Sequence, residues 1–285
     1  MIRPLRSVLF LPASNARALE KARSLDCDAV VLDLEDAVAP EQKRDARAAM
    51  VEALHAGGFM ARTLAVRVNG LDTEWGEEDL IAAAGVAPDA ILAPKIGDAD
   101  AVEALHLRIA QAPQRTRLWA MIETCQGVMN LREIAAAGGR LSTLVVGVND
   151  LSKDMRRPAS KDRAPLMTAL HLSVTAARAN GLNVLDGVYN DLDDLQGLER
   201  ECVEGRALGF DGKCLLHPNQ IDAANRVFAP TADEIAWARA VVEAFARPDN
   251  ADRGVLRVQG RMVERLHLEE AEQTLEAAGA AKRSA

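Results

Sequence analysis

Histidine and cysteine are too few and too badly spaced for soft-metal or disulfide chemistry. The five histidines include no His-x-His or His-x3-His pair, so a zinc site has no support. Cys27, Cys125, Cys202 and Cys214 form no CxxC pair, and no secretory signal precedes the first apolar run. Free thiols in a cytoplasmic protein are therefore expected. A Walker loop and a GxGxxG turn are also missing, and Gly57-Gly58 and Gly138-Gly139 read as turn doublets. No apolar run approaches the ~18 residues of a spanning helix, and no solenoid repeat occurs. The net charge of -8 argues against a surface built for nucleic-acid phosphates. Neither nucleic acid nor membrane is an expected partner.

What the sequence does have is a globular balance, 49% hydrophobic and 27% charged residues over 285 positions. Short apolar runs alternate with longer stretches rich in helix formers. The runs begin at Ser7, Ala29, Leu64, Ala90, Leu118, Leu144, Asn183 and Lys213. Helical patterns cover 40–56, 99–111, 127–137, 165–180 and 191–208. Strands without a polar alternate are expected where helices wrap both faces of a parallel sheet. Eight βα units favour an α/β fold of the (β/α)8 TIM-barrel type over an open sheet. After His217-Pro218 the pattern changes to helices over about 231–246 and 261–278, with an extended Val255–Val258 between them. A barrel domain over 1–228 and a C-terminal helical or lid segment over 229–285 are expected.

Residues just past each strand of a barrel share one rim, and here that rim is ionisable. It carries Asp33, Glu35 and Asp36, then Arg67 with Asn69, then Lys95, Glu123, Asp150, Asp186 and His217. Any one of these acids could cap the helix that follows it. Glu123 is harder to dismiss that way, because Thr124 can serve as the cap. With Asp150 it would give two oxygen ligands, which suits Mg²⁺ completed by water and substrate. Arg67 interrupts an apolar run and needs an anion. It could pair with Asp33 or Glu35, or grip a substrate carboxylate or developing oxyanion, and the second reading is preferred. Lys95 reads as a rim ion pair rather than a Schiff-base lysine. Asp33, Glu35 and Asp36 read as supports that orient Arg67 and Lys95 rather than a second metal cluster, and His217 as a supporting or structural residue.

Several motifs together resemble the citrate lyase beta-subunit-like branch of the HpcH/HpaI aldolase superfamily. They are Leu5-Arg6-Ser7-Val8-Leu9-Phe10-Leu11-Pro12, Leu32-Asp33-Leu34-Glu35-Asp36, Val66-Arg67-Val68-Asn69, Pro94-Lys95, Ile122-Glu123-Thr124 with Gly127, and Gly147-Val148-Asn149-Asp150-Leu151. Gly209-Phe210-Asp211-Gly212-Lys213 followed by His217-Pro218 and Gln220 completes the set. The resemblance implies a Mg²⁺-dependent barrel that cleaves or forms a carbon-carbon bond in a 3-hydroxyacyl-CoA such as malyl-, citramalyl- or citryl-CoA, with a 2-oxo acid as the other partner.

By that similarity Glu123 and Asp150 hold the metal and Arg67 contacts keto-acid and thioester oxygens, while Arg6, Arg17 and Lys21 are candidates for the CoA phosphates. The resemblance also implies trimers or hexamers in which one subunit's C-terminal segment covers its neighbour's site. A malyl-CoA thioesterase, a malate-synthase-like variant, or a beta subunit working within a larger complex are the alternatives. There are two departures. Pro12-Ala13-Ser14 stands where the family usually continues Pro-Gly. Gly260-Arg261-Met262-Val263 is followed by Glu264, where relatives with lyase or synthase action often carry an Asp that serves as acid or base. Glu264 reads equally as that proton-transfer group or as a surface helix residue.

Overall fold

The computed structural model describes residues 5–158, 160, 162–250 and 252–282. They fall into two compact units, Leu5–Asn225 and the segment from Arg226 onward.

In the first unit eight parallel strands close into a barrel in sequence order. They are β1 (Ser7–Pro12), β2 (Ala29–Asp33), β3 (Thr63–Arg67), β4 (Ala90–Ala93), β5 (Arg117–Ile122), β6 (Leu141–Val146), β7 (Asn183–Asp186) and β8 (Gly212–Leu215). Closure comes from pairing of β1 with β8, Val8 against Cys214. The connecting helices are α1 (Ala16–Ala22), α2 (Lys43–Ala56), α3 (Gly76–Val86), α4 (Ala99–Arg108), α5 (Cys125–Met129), α6 (Leu131–Ala136), α7 (Val148–Asp154), α8 (Met167–Ala179) and α9 (Leu195–Leu208), with α10 (Ile221–Phe228) after β8. This is the (β/α)8 TIM barrel that the eight apolar runs imply, with C-terminal helices beyond it.

Side chains on a strand alternate between its two faces. Val8, Val31, Ala65, Leu92, Trp119, Met121, Val145, Leu185 and Cys214 fill the barrel interior. The same period puts Asp33, Arg67 and Glu123 on the inward side, one layer above Val31, Ala65 and Met121. Lys213 and Asp186 fall on the outer face, against α9. Burial on both faces is why the strands read as continuous apolar runs.

Of the boundaries that differ from the sequence reading, two bear on the site and on the second unit. The run through Val148 does not stay extended: β6 stops at Val146, and α7 begins at Val148, with the Leu151 N–H donating to the Gly147 carbonyl. Asp150 therefore sits in the first turn of a helix, where a carboxylate is favoured by the exposed N–H groups. In the second unit the last helix starts later than expected. Residues Arg261–Glu264 form β10, antiparallel to β9 (Val255–Val258), joined by Gln259 and Gly260 at φ 46° and 83°. Two consecutive positive φ values are what a tight hairpin of this kind requires. The helix before this hairpin is α11 (Ala232–Ala246) and the one after it α12 (Arg265–Lys282). Ala238, Val241 and Phe245 of α11 pack with Leu256, Val258, Val263 and Ala271 as this unit's own core. Among the described residues no helix is long and apolar enough to cross a membrane.

Candidate active site

Glu123 lies one residue beyond β5, and its freedom from capping duty is visible. The Thr124 hydroxyl accepts the Gly127 N–H at 3.0 Å and caps α5. The Glu123 carboxylate is buried. Its Oε1 accepts the Lys95 N–H at 2.8 Å, while Oε2 has no hydrogen-bond partner. Burial pushes its pKa up to about 7, with Glu35 and Asp150 adding repulsion and the Lys95 N–H and Arg67 opposing it. Gly147 makes room for this carboxyl, because a Cβ at that position would overlap Oε2 and the Glu123 Cβ. Glu123 and Asp150 line one cavity of about 380 Å³ with Asp33, Asp36, Arg67, Asn149 and an apolar floor that includes Phe10, Met121, Val145 and Cys214.

Arg67 shows the other side of the preference stated for it. Register pairs Asp33 with Arg67, and both Nε and Nη2 donate to the Asp33 carboxylate at 2.6 Å. The guanidinium's bidentate edge is thus spent within the chain, and a bidentate grip on substrate is not available in this arrangement. Nη1 lies 2.9 Å from Glu35 Oε2 without hydrogen-bond alignment, and the guanidinium sits 5.4 Å from the Phe10 ring centre. Burial works against its charge, but Asp33, Glu35 and Glu123 outweigh that and hold its pKa above the ordinary value.

Lys95 donates from Nζ to Glu35 Oε1 at 2.6 Å. Burial lowers its pKa and Glu35 raises it by more, so the amine stays protonated. A Schiff-base lysine needs the opposite. Burial raises the Glu35 carboxyl, against the pull of Arg67 and Lys95. Asp33 is fully engaged, since besides Arg67 it accepts N–H groups from Glu35 and Ala37. Asp36 is more exposed, 3.9 Å from Arg67 Nη1.

A second cavity of about 370 Å³ adjoins the first and shares Phe10, Leu11, Pro12 and Leu216 with it. Asn15, Arg17, Lys21 and His217 line it. His217 is exposed and caps the turn that follows, its Nδ1 accepting the Asn219 N–H at 3.2 Å. Ala13 is buried with its N–H on the Asp33 carbonyl, and its φ is not positive, so the backbone there does not require the glycine usual in the family.

Arg6 does not join this group. It precedes β1, at the opposite end of the barrel from the rim, and its Nε and Nη2 clamp Asp28 at 2.8 Å. Its assignment to CoA is corrected accordingly: it is half of a structural ion pair with the buried Asp28. Asp186 likewise leaves the rim, bonding Lys213 and Arg163 behind the barrel wall. Glu264 ends β10, where its N–H donates to His267 Nδ1 at 2.9 Å, so it is not a residue of the last helix. By strand alternation it shares the outer face of the hairpin with Met262, which is 66% exposed, while Val263 points into the core.

Lys43 carries no local signal that marks it as part of the site. Its buried ammonium donates to the Leu34 and Glu35 carbonyls and to Asn69 Oδ1, all within 2.8 Å. Asn69 in turn donates to the Leu34 carbonyl and to Asp79, which holds Arg47. Among the described residues there is no cluster of three or more His, Cys, Asp or Glu placed to hold a metal. Glu123 Oε2 is buried without a hydrogen bond, and Asp150 lines the same cavity.

An eight-stranded barrel whose acidic cavity opens at the carboxyl ends of its strands has the layout of a (β/α)8 enzyme. Residues 6–218 match the HpcH/HpaI aldolase/citrate lyase family, and the chain belongs to that family. It is 47% identical over 272 residues to a (3S)-malyl-CoA thioesterase of Cereibacter sphaeroides, covering 95% of this chain and 94% of the relative. It is 36% identical over 266 residues to citrate lyase subunit beta of Escherichia coli, covering 91% and 88%. The CitE protein of Mycobacterium tuberculosis, solved in complex with magnesium, acetoacetate and coenzyme A, superposes with a TM-score of 0.78 at 32% identity over 97% of this chain and 98% of that one.

Proposed function

We propose that the protein is a Mg²⁺-dependent enzyme acting on a short 3-hydroxyacyl-CoA of the malyl type, and that it hydrolyses the thioester. The observation that carries the metal is the buried Oε2 of Glu123, unpartnered in a cavity it shares with Asp150. A buried carboxylate with one oxygen unpartnered and a raised pKa fits a cation ligand, and two acids without a third ligand suit Mg²⁺, which keeps waters and binds through one or two carboxylates. Glu123 and Asp150 would hold it. When bound, the ion supplies a Lewis acid for substrate oxygens.

The rest follows from the chain's own groups. Arg67, locked by Asp33, offers Nη1 to negative charge developing on the thioester oxygen. Arg17 and Lys21 attract the CoA phosphates from the adjoining cavity, so that the thioester lies near the shared wall at Phe10 and Leu216. The apolar floor keeps bulk water from the reacting carbons. We assign Glu264 of a neighbouring copy as the group whose Oε takes a proton from the attacking water, in a homo-oligomer whose second unit covers the next barrel. The products are a free hydroxy acid and the CoA thiol.

The sequence reading put carbon-carbon cleavage first. The 47% identity to a (3S)-malyl-CoA thioesterase favours hydrolysis. Cleavage to a 2-oxo acid and an acyl-CoA stays as the second reading, favoured by the identity to citrate lyase subunit beta. Incubating the purified protein with malyl-CoA and Mg²⁺, and assaying free thiol and glyoxylate separately, decides between them. Thiol without glyoxylate marks hydrolysis, glyoxylate without thiol marks cleavage, and activity that survives chelator refutes the metal.

A further inference from the structure

We propose that Lys95 positions Glu123 through its backbone geometry and not through its charge. This rests on Glu123 being a metal ligand. Lys95 is one of few non-glycine residues in the left-handed region, at φ 51°. A lysine does not adopt that conformation by preference, because its Cβ then crowds the backbone. Here the surroundings impose it.

Directly after Lys95 the Ile96 N–H is tied to the Met121 carbonyl at 3.2 Å, and one residue further the Gly97 carbonyl accepts a hydrogen bond from Asn130 Nδ2 at 2.7 Å. Gly127 of α5 closes the turn from above, since a Cβ there would run into the Ile96 carbonyl. The consequence is a single directed bond. The Lys95 N–H points at Glu123 Oε1, and Oε2 is left as the carboxylate's free oxygen.

The ammonium goes elsewhere, to Glu35. Removing it makes the field around Glu123 more negative, which cannot weaken a bound cation there. Releasing the left-handed turn would let the carboxylate rotate, and that does weaken it. Cation affinity should therefore follow the tolerance of position 95 for positive φ, in the order Gly and Asn, then Lys, then Val.

The test is calorimetric titration of Mg²⁺ into the substrate-free protein and into Lys95→Gly, Lys95→Asn and Lys95→Val. The Gly and Asn variants are expected to bind within about threefold of wild type or tighter, and the Val variant about tenfold more weakly, as β-branching at positive φ demands. A tenfold loss in the Gly and Asn variants, or wild-type affinity in the Val variant, overturns the proposal. If Lys95→Val does not fold by circular dichroism, the Gly and Asn results decide alone, retained affinity supporting the proposal and lost affinity refuting it. Failure of the wild-type protein to bind Mg²⁺ overturns the metal reading as well, so the two failures are distinguishable.

Discussion

Replacing Glu123 by Gln tests the buried carboxylate directly, and its size can be worked out. The carboxyl titrates at about 7 in the fold against an ordinary 4.5, because burial and the neighbouring acids disfavour its charge. The folded protein therefore binds this proton more tightly than the unfolded chain does. The stabilisation is fully present below the unfolded pKa and is lost as pH rises through the folded one. Two and a half units correspond to about 3 kcal/mol, an order-of-magnitude figure, lost between about pH 4.5 and 7.5. Urea unfolding of the metal-free protein in chelator should show this fall, and Glu123→Gln should lack it while keeping the bond from the Lys95 N–H. Glu35, raised by its own burial, contributes to both curves, so the difference between them is the quantity read. Mg²⁺ replaces the proton as counter-charge, so its stabilising effect on wild type should grow with pH and vanish in the variant. Parallel pH curves for the two metal-free proteins would refute the assignment of a buried, unpaired Glu123.

Gly147→Ala places a methyl on the Glu123 carboxyl, and calorimetry should find Mg²⁺ affinity at least tenfold weaker with the far-ultraviolet spectrum unchanged. Arg6→Ala removes the guanidinium from buried Asp28 and leaves it only the N–H of residue 6, so it should cost about 3 kcal/mol in denaturant unfolding while KM for CoA thioesters stays at the wild-type value. Arg17→Ala with Lys21→Ala should do the reverse, raising KM in a salt-dependent way with little change in stability. Lys43→Met strips the Leu34 and Glu35 carbonyls of their donor, which should cost about 2 kcal/mol by urea unfolding and lower kcat/KM.

The barrel was legible because closure buries both faces of every strand, and a strand buried on both faces cannot be mistaken for an alternating one. Glu123 was legible because Thr124 stood ready as the cap. Local sequence failed where the deciding partner is distant. The Asp33–Arg67 fork spans 34 residues and exists only through the β2–β3 register. Lys43 lies in a charged run that reads as a solvated helix face, yet it reaches back to the loop that carries Glu35. The start of α7 was hidden because Val148 prolongs the apolar run past the Gly147 break. The β9–β10 hairpin was missed because Gln259-Gly260 is a weaker turn signal than Asn-Gly, and Arg261 to Glu264 also suit a helix. Arg6 could have been placed correctly: a residue before a strand belongs to the barrel's other end.

Among the described residues, Glu123 is the one buried acid around this cavity that presents an oxygen left open to a ligand. Both oxygens of Asp33 are held by Arg67 and by backbone N–H groups. Glu35 also has an oxygen without a hydrogen bond, but that oxygen faces Arg67 Nη1 at 2.9 Å, and Glu35 does not line the cavity. A cation entering there would meet the guanidinium first. At Glu123 it meets the Lys95 N–H only on Oε1, with Asp150 across the same cavity and Arg67 already neutralised by Asp33. The fork that removes Arg67 as a bidentate substrate clamp thus has a second effect, since it lowers the positive field beside the cation site proposed at Glu123 and Asp150. Arg67→Lys would break the fork and leave a mobile ammonium free to pair with Glu123. Mg²⁺ affinity measured by calorimetry should then fall severalfold even with both proposed ligands intact, and unchanged affinity would show that the Asp33–Arg67 pair only supports the fold.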